Sequence, residues 1–476
     1  MLQETSYGNA NARILPHLHD RLDNGKILVT GYFGGWAILS EEEFHAFKAG
    51  NYRKTESLYS KLMGGGIIIN DSNMNEVSDF YRDLNWNLLL PPSLHMFNTT
   101  NICNYRCSYC HAGVSQGKDF MDIKTALKAL KFIFKSSGKA LTIEFQGGEC
   151  LLNWKVVKLA IEKSKELNKI FNKDMHICII SNLSLLNEEK LSFLANNDVA
   201  ICSSLDGPEI VHDTNRKTAA GADTYDKTIE KIKFIQDYYK KNGMNRKVDL
   251  LATISKQALP YPEEIVDTYA SLGIQNLHLR PVQHLGDALG EWGRLSYSPE
   301  EFFQFWRKAM KRIFEHNRNG IEIMERGAYN ILCKILIAKD PLYVEQMNPA
   351  GLGRCALLYN YDGSIYSSDE GRMISEPVFK IGTVDQKPKE VLTCKENIKT
   401  WLSSYLDLTC YNSPYRAWGG IHPVHIYQDW GTIIPRASQY STYKIYAMQC
   451  KYLFDKISEN GFELELFHQW VQREIK

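Results

Sequence analysis

No apolar run in the 476-residue chain approaches the length that crosses a bilayer. The opening MLQETSYGNANAR lacks the basic start and apolar stretch of a secretory signal, so a cytoplasmic protein is expected. Neither sign of charge dominates: 56 Lys and Arg face 55 Asp and Glu, a formal +1 at pH 7. Bulk attraction to nucleic acid or to a membrane surface is therefore not expected. A disulfide framework is missing too, because eleven cysteines, an odd number, are scattered along a long chain. In a reducing compartment they remain thiols, open to metal. What the chain does have is apolar material, 44% hydrophobic with 12% aromatic. That is enough for packed cores in about two to four domains.

The densest chemistry lies in FNTTNICNYRCSYCH, residues 97–111, where Cys103, Cys107 and Cys110 stand in a CxxxCxxC spacing after a strand-like run. Three close thiolates hold three irons of a cubane cluster and leave the fourth without a protein ligand. Soft sulfur suits such a cluster, and the open position invites an exogenous ligand. Two other readings stand beside it. A zinc site needs a fourth Cys or His, and His111, adjacent to Cys110, is poorly placed to be one. Three buried structural thiols are the other. The spacing, with Tyr109 just before the third cysteine, resembles the cluster loop of the radical SAM superfamily. That resemblance implies one [4Fe-4S] cluster whose free iron chelates the amino and carboxylate groups of S-adenosylmethionine. It also implies a one-electron protein reductant such as a flavodoxin or ferredoxin.

Ahead of this loop, residues 14–69 read as a small module. RLDNGKILVTGYFGGWAILS alternates and turns like a hairpin or meander, with Asp23-Asn24-Gly25 and Gly34-Gly35 as turn signals. SEEEFHAFKAG predicts a helix capped by Ser40 and stopped at Gly50. A second helix over Glu56 to Met63 leads to a glycine run and the short strand IIIN. The order resembles the winged-helix-like, leader-recognising module of peptide maturases, which takes a peptide as an extra strand. A plain structural cap fits the same residues.

From Leu94 onward strands and helices alternate, with strands at LHMFNT, LTIEFQ, HICIIS, VAICSS, VDLLATIS and LHLRPV. Such a string predicts a parallel sheet with right-handed crossovers. A partial (β/α)6 TIM-type barrel and a doubly wound open sheet give the same string. The superfamily resemblance implies the former.

Polar residues recur just past the strand ends, where barrels place their sites. GGEC offers Gly147 and Gly148, which let backbone approach a ligand, and the Glu149 carboxylate, an acceptor for an ammonium. It resembles the family's GGEP, with Cys150 in place of proline. Ser181 and Asn182 close the third strand, and Ser203, Ser204 and Asp206 the fourth. These groups suit ribose hydroxyls or a ligand carboxylate, and they equally suit helix capping. In HDTNR, Arg216 matches the arginine that related members set against the carboxylate of S-adenosylmethionine. His212 and Asp213 read as local loop structure. By this resemblance the cofactor-binding set is Tyr109, Gly147, Gly148, Glu149, Asn182, Ser204 and Arg216.

SLHMFNTTNICNYRCSYC, SSLDGPEIVHDTNR and NPAGLGRCALLYNYDGSIYSSDEGRM are similar to the His-Xaa-Ser system radical SAM maturases, among the SPASM-containing peptide maturases. This implies a ribosomally made precursor peptide as partner and substrate. The domains are then expected at 1–90 (leader-recognition-like), 91–285 (barrel) and 286–476 (SPASM/twitch-like α+β). Pro299 to Glu315 and Ile321 to Lys339 read as helical, and YNYDGSIYSSDEGR as a hairpin about Asp-Gly. The last part departs from the family's pattern. Cys333, Cys355, Cys394, Cys410 and Cys450 share no CxxC spacing, and Ser413 and Gly419 stand where thiols are expected. An auxiliary cluster is therefore not expected. His422 and His425, in HPVH, read as a solvated loop with metal binding as the alternative. The implied activity is radical hydrogen abstraction from a peptide. The rivals are a silent peptide-binding scaffold, and radical chemistry on a small molecule or a protein.

Overall fold

The structure, a computed structural model, describes residues 12–53, 55–113, 117–403, 412–434 and 440–473, apart from the side chains of 87–89. Its centre is a run of six strands: β1 (Leu94–Asn98), β2 (Ala140–Gln146), β3 (Asp174–Ile180), β4 (Val199–Ser204), β5 (Asp249–Ile254) and β6 (Asn276–Pro281). Each pairs in parallel with the next, in chain order. A doubly wound sheet reverses its strand order at a switch point. No reversal occurs here, so the crossovers all step the same way, as in a barrel.

Local sequence explains these elements. In β2, Leu141, Ile143 and Phe145 are buried while Thr142, Glu144 and Gln146, on the other face, are half-buried, the period of a strand. The helix Ile123–Ser136 starts at Asp122, whose side chain accepts from the Thr125 amide, and buries Ala126, Ala129, Leu130 and Ile133. That spacing makes one apolar stripe.

The sheet continues beyond residue 285. β7 (Met324–Glu325) joins β6 in parallel. β8 (Ala356–Tyr359) joins β1 in parallel, and β9 (Ser364–Tyr366) and β10 (Lys380–Thr383) follow antiparallel. The order is thus β7-β6-β5-β4-β3-β2-β1-β8-β9-β10. The expected hairpin is β8 and β9, turning at Gly363 with φ +84°. The expected helix over Ile321 to Lys339 is shorter, Arg326–Leu336, because Met324 and Glu325 are used in the sheet.

The N-terminal part has the expected three-stranded meander, His17–Arg21, Ile27–Gly31 and Trp36–Leu39. Ser40 caps Glu41–Lys48 with a capping box to Glu43, and Ile68–Ile69 pairs with Arg13–Ile14. It buries a small core of its own, including Val29, Leu39, Phe47 and Leu62. A helix at Met74–Leu89, unforeseen from the sequence, leads to β1. Two further helices, Ser441–Glu459 and Phe462–Gln472, close the fold. The Asp23 amide donates to Asp455 at 2.8 Å, tying the N-terminal part to the first of them. Among the described residues, no helix is long and apolar enough to cross a membrane.

Candidate active site at the mouth of the barrel

The cysteine loop leaves the C-terminal end of β1. It contains a short strand, Tyr105–Cys107, paired antiparallel with Arg216–Thr218 so that Arg216 lies opposite Cys107. The pairing fixes the middle cysteine against the arginine of HDTNR. Cys103, Cys107 and Cys110 are all half-buried and free. Among the described residues, no three His, Cys, Asp or Glu side chains are placed to hold a single metal ion. A zinc ion gathers its ligands on one point about 2.3 Å from each sulfur, whereas a cubane takes one thiolate at each of separate corners. The three cysteines are therefore not drawn together on a single point as zinc ligands are.

Burial pushes the Cys103 thiol up to about 11 and the Cys110 thiol up to about 12, and raises Cys107 as well. Bound iron reverses that preference, since a coordinating thiol is deprotonated outright. Beside the cysteines, the Tyr105 hydroxyl, the Ser108 hydroxyl and Nε of Arg216 are buried with no hydrogen-bond partner. Buried polar atoms are rarely left so. Donors held unpaired around a cluster loop fit a polar, carboxylate-bearing nucleotide, which is the second group the resemblance implies.

The glycines of GGEC turn toward the loop itself. A β-carbon on Gly147 would lie 2.3 Å from the Thr100 carbonyl oxygen, and one on Gly148 2.3 Å from that of Ile102. The Gly148 and Glu149 amides donate to those same carbonyls at 2.7 and 2.8 Å. Only residues without side chains allow this approach. Glu149 is fully buried and accepts from the Leu151 amide, the Ser181 hydroxyl and the Asn182 amide at 2.8–2.9 Å. Burial raises its pKa, and these three bonds oppose the rise. Cys150, in place of proline, is buried, opens a 3-10 turn and donates to the Ile180 carbonyl at 3.3 Å. The thiol thus ties the turn to the end of β3.

Asn182 does not cap the next helix, whose N-cap is Asn187. The Asn182 side-chain oxygen accepts from the Ser184 amide, a turn-forming bond. Its amide nitrogen reaches Asn104 at 2.9 Å and the Cys103 sulfur at 3.7 Å. Ser204 ends β4, half-buried. Asp206 is fully buried, and both its oxygens face the Tyr109 hydroxyl at 2.7–2.8 Å. That hydroxyl also accepts from Nη1 of Arg216 at 2.7 Å. Tyr109, Asp206 and Arg216 therefore form one buried network that clamps the loop between its second and third cysteines.

Two expectations need correction. HDTNR is not loop: His212 and Asp213 lie in the helix Glu209–Asn215. His212 is fully buried, with the Asp206 amide near its Nδ1, and Asp213 accepts from the Thr224 and Tyr225 amides at the start of the next helix. HPVH is not solvated: His422 and His425 are 1% and 5% exposed. Their rings stack 4.4 Å apart, His422 faces Glu370 at 3.5 Å, and His425 Nδ1 meets the Tyr440 hydroxyl at 2.8 Å. The nearby imidazoles hold the Glu370 carboxyl well below its usual range.

These residues belong to a second wall that sequence reading missed. Arg372 donates to Asn101 and to the Ala112 carbonyl, on either side of the cysteines. Asn360 accepts from Asn98 at 2.7 Å. No local pattern announces contacts made over such separations. Of the remaining thiols, Cys333, Cys355 and Cys450 are buried and Cys394 donates to the Ile381 carbonyl, while Cys410 lies outside the described residues.

Comparison with known proteins agrees with this geometry. Residues 97–267 match the family model of the Radical SAM superfamily. The cysteine-type anaerobic sulfatase-maturating enzyme of Clostridium perfringens is 23% identical over 294 residues, 59% of this chain and 75% of that one. A solved structure of native anSMEcpe with bound AdoMet superposes with a TM-score of 0.65 at 19% identity, over 78% of this chain and 99% of its own. Streptococcus suis SuiB bound to precursor peptide SuiA gives 0.51 at 13% identity, over 86% and 96%. At such identities the structures speak for the fold alone. The stretch that holds the three cysteines, residues 97–267, is a radical SAM domain, and over a wider span the chain is similar to a sulfatase-maturating enzyme.

Proposed function

We propose that the protein modifies a ribosomally made peptide at an unactivated carbon, forming a cross-link or another C–H functionalisation. It is read as akin to the His-Xaa-Ser system maturases. When bound, one [4Fe-4S] cluster and S-adenosylmethionine supply the 5′-deoxyadenosyl radical, the hard part of the chemistry. The chain supplies placement. Cys103, Cys107 and Cys110 hold the cluster, and the network of Tyr109, Asp206 and Arg216 keeps their loop in register. Nε of Arg216, buried without a partner, would pair with the nucleotide's carboxylate, Gly147, Gly148 and Asn182 would shape its cradle, and Ser204 would meet its ribose. Glu149 orders the ends of β2 and β3, and its carboxylate would also accept from the nucleotide's ammonium.

The observation that carries this reading is the buried, unpartnered Tyr105 hydroxyl and Arg216 Nε beside three free thiols. The peptide substrate rests on the resemblance and on neighbours: SuiB is solved with its precursor peptide, and anSMEcpe with AdoMet and an 18Cys peptide. The N-terminal meander is proposed to bind a leader segment, residues 91–285 to form the barrel and residues 286–476 a SPASM-like wall without an auxiliary cluster. A cytoplasmic location and a flavodoxin or ferredoxin reductant complete the proposal. Kinship with a sulfatase-maturating enzyme favours a second reading, in which the peptide is a segment of a larger protein.

Anaerobic reconstitution followed by dithionite and S-adenosylmethionine is the test. The expected results are four irons per chain, the content of one [4Fe-4S] cluster, 5′-deoxyadenosine as product, and a mass change in a co-expressed short peptide encoded beside the gene. Iron binding without nucleotide cleavage would leave only a scaffold.

A further inference from the structure

Beyond the end of β6 lies a pocket that neither the three cysteines nor the nucleotide residues line. One wall is the stretch from Pro281 to His284, and Trp292 stands on the helix Ala288–Leu295. Facing them are His425 and Asp429, on the helix Pro423–Trp430, and the start of the helix Ser441–Glu459. The pocket holds about 560 Å³ with its mouth included, within the range of small-ligand sites. It adjoins the barrel mouth, because the Asp287 amide, just past its wall, donates to the Cys110 carbonyl at 2.8 Å.

Two side chains that line it are buried with a nitrogen unused. Gln283 is 4% exposed and His425 5% exposed, and Nε2 of each has no hydrogen-bond partner. The chemistry around His425 places its proton. The Thr442 hydroxyl donates to the Tyr440 oxygen, which leaves the Tyr440 proton for Nδ1 of His425, 2.8 Å away. Burial, and then His422 beside it, lowers the His425 pKa well below its usual value, so the ring is neutral. A neutral imidazole that accepts at Nδ1 carries its hydrogen on Nε2. Both unused nitrogens are therefore donors, and what they lack is an acceptor oxygen.

The remaining lining decides which kind of oxygen. Among the described residues, none of those lining the pocket is Lys or Arg, whereas Asp429 is there, paired with His284 at 2.9 Å. A carboxylate entering here would lose water beside another carboxylate, with no Lys or Arg to offset the loss. A carbonyl oxygen bears no such cost. A primary carboxamide also brings an NH2 group, for which the partly exposed Asp429 carboxylate is an acceptor. Pro281, Trp292 and Ile445 offer apolar surface to the methylenes behind it.

We propose that this pocket takes the carboxamide side chain of a Gln or Asn residue of the substrate peptide, its oxygen accepting from Nε2 of Gln283 and of His425 and its NH2 donating to Asp429. A residue nearby in that peptide is thereby set at the barrel mouth. The inference rests on the peptide reading above and deepens it.

The test is saturation-transfer NMR on reconstituted, unreduced holoenzyme, with N-acetyl-glutamine methylamide and its glutamate and methionine counterparts as probes. The glutamine probe is expected to bind about tenfold more tightly than either of the others, and Gln283→Met to weaken it by about tenfold. Asp429→Asn, which puts a donor where the acceptor was, is expected to narrow the preference for glutamine over glutamate by about tenfold. Should Gln283→Met fail to fold, as read by circular dichroism melting, Asp429→Asn at its partly exposed position carries the test alone. No probe bound, glutamate or methionine bound as tightly as glutamine, or a glutamine preference unchanged in the folded variants each overturns the proposal. The probes need no turnover, so the two readings fail separately. A wild type that discriminates among the probes but makes no 5′-deoxyadenosine with dithionite and S-adenosylmethionine overturns the radical reading and supports the pocket.

Discussion

The mouth of the barrel has two walls whose carboxylates are treated differently. On the barrel wall Glu149 takes three donors, Asp206 takes the Tyr109 hydroxyl and the Thr253 amide, and Asn182 uses both ends of its amide, while the Tyr105 and Ser108 hydroxyls and Nε of Arg216 stay unmatched. On the C-terminal wall Glu370 faces His422 as an ion pair, and Nε2 of His425, Nη2 of Arg372 and the Ser367 hydroxyl are buried and unmatched. A matched network is rigid and specifies one geometry, whereas unmatched groups cost free energy until something enters to satisfy them. The carboxylate network of the barrel wall is preorganised, and unmatched groups remain on both walls.

The largest expected effect is at the cluster loop. Cys107→Ala is expected to abolish both iron retention and 5′-deoxyadenosine formation, read by iron and sulfide analysis. If it still binds a full cluster, the barrel wall is not the cofactor wall. Next, Glu149→Ala removes the acceptor of three buried donors and is expected to cost about 3–5 kcal/mol in denaturant unfolding.

Smaller and dependent on pH is Glu144→Gln. The folded pKa of Glu144, about 7, exceeds its ordinary 4.5. The folded state therefore binds the extra proton, and wild-type stability falls as pH rises from about 4.5 to about 7. The glutamine variant is expected to be more stable than wild type by about 3 kcal/mol at pH 8, with little difference at pH 4. The finest contrast pits one serine against another. Ser181→Ala, which loses the bond to Glu149, is expected to cost about 1–2 kcal/mol. Ser367→Ala, fully buried but unbonded, is expected to change stability by less than about 0.5 kcal/mol. Equal costs would erase the difference between the walls.

The same division separates what could be read from sequence. Cys103, Cys107, Cys110, GGEC and the Ser40-capped helix Glu41–Lys48 are local patterns, set by spacing and caps, and they stand where reading places them. The strand Tyr105–Cys107 was missed because its partner begins at Arg216, beyond any local window. His422 and His425 were misplaced because a Pro-containing polar tetrapeptide resembles a loop until distant residues cover it. Glu149 was read as facing a ligand, and nothing in the sequence revealed that its first partners are Leu151, Ser181 and Asn182.

The pairing of β8 with β1 sets a constraint on how the chain is born. Ala356 reaches Leu94 across 261 intervening positions. At roughly 5–20 residues per second of translation, β1 waits about 13–50 s on the ribosome before its neighbour emerges. Through that interval the strand feeding the cysteine loop has a naked edge, ready to recruit a stray strand. Arg372, which reaches Asn101 and the Ala112 carbonyl, emerges later still, so the loop and its outer clasp are joined in sequence and not at once.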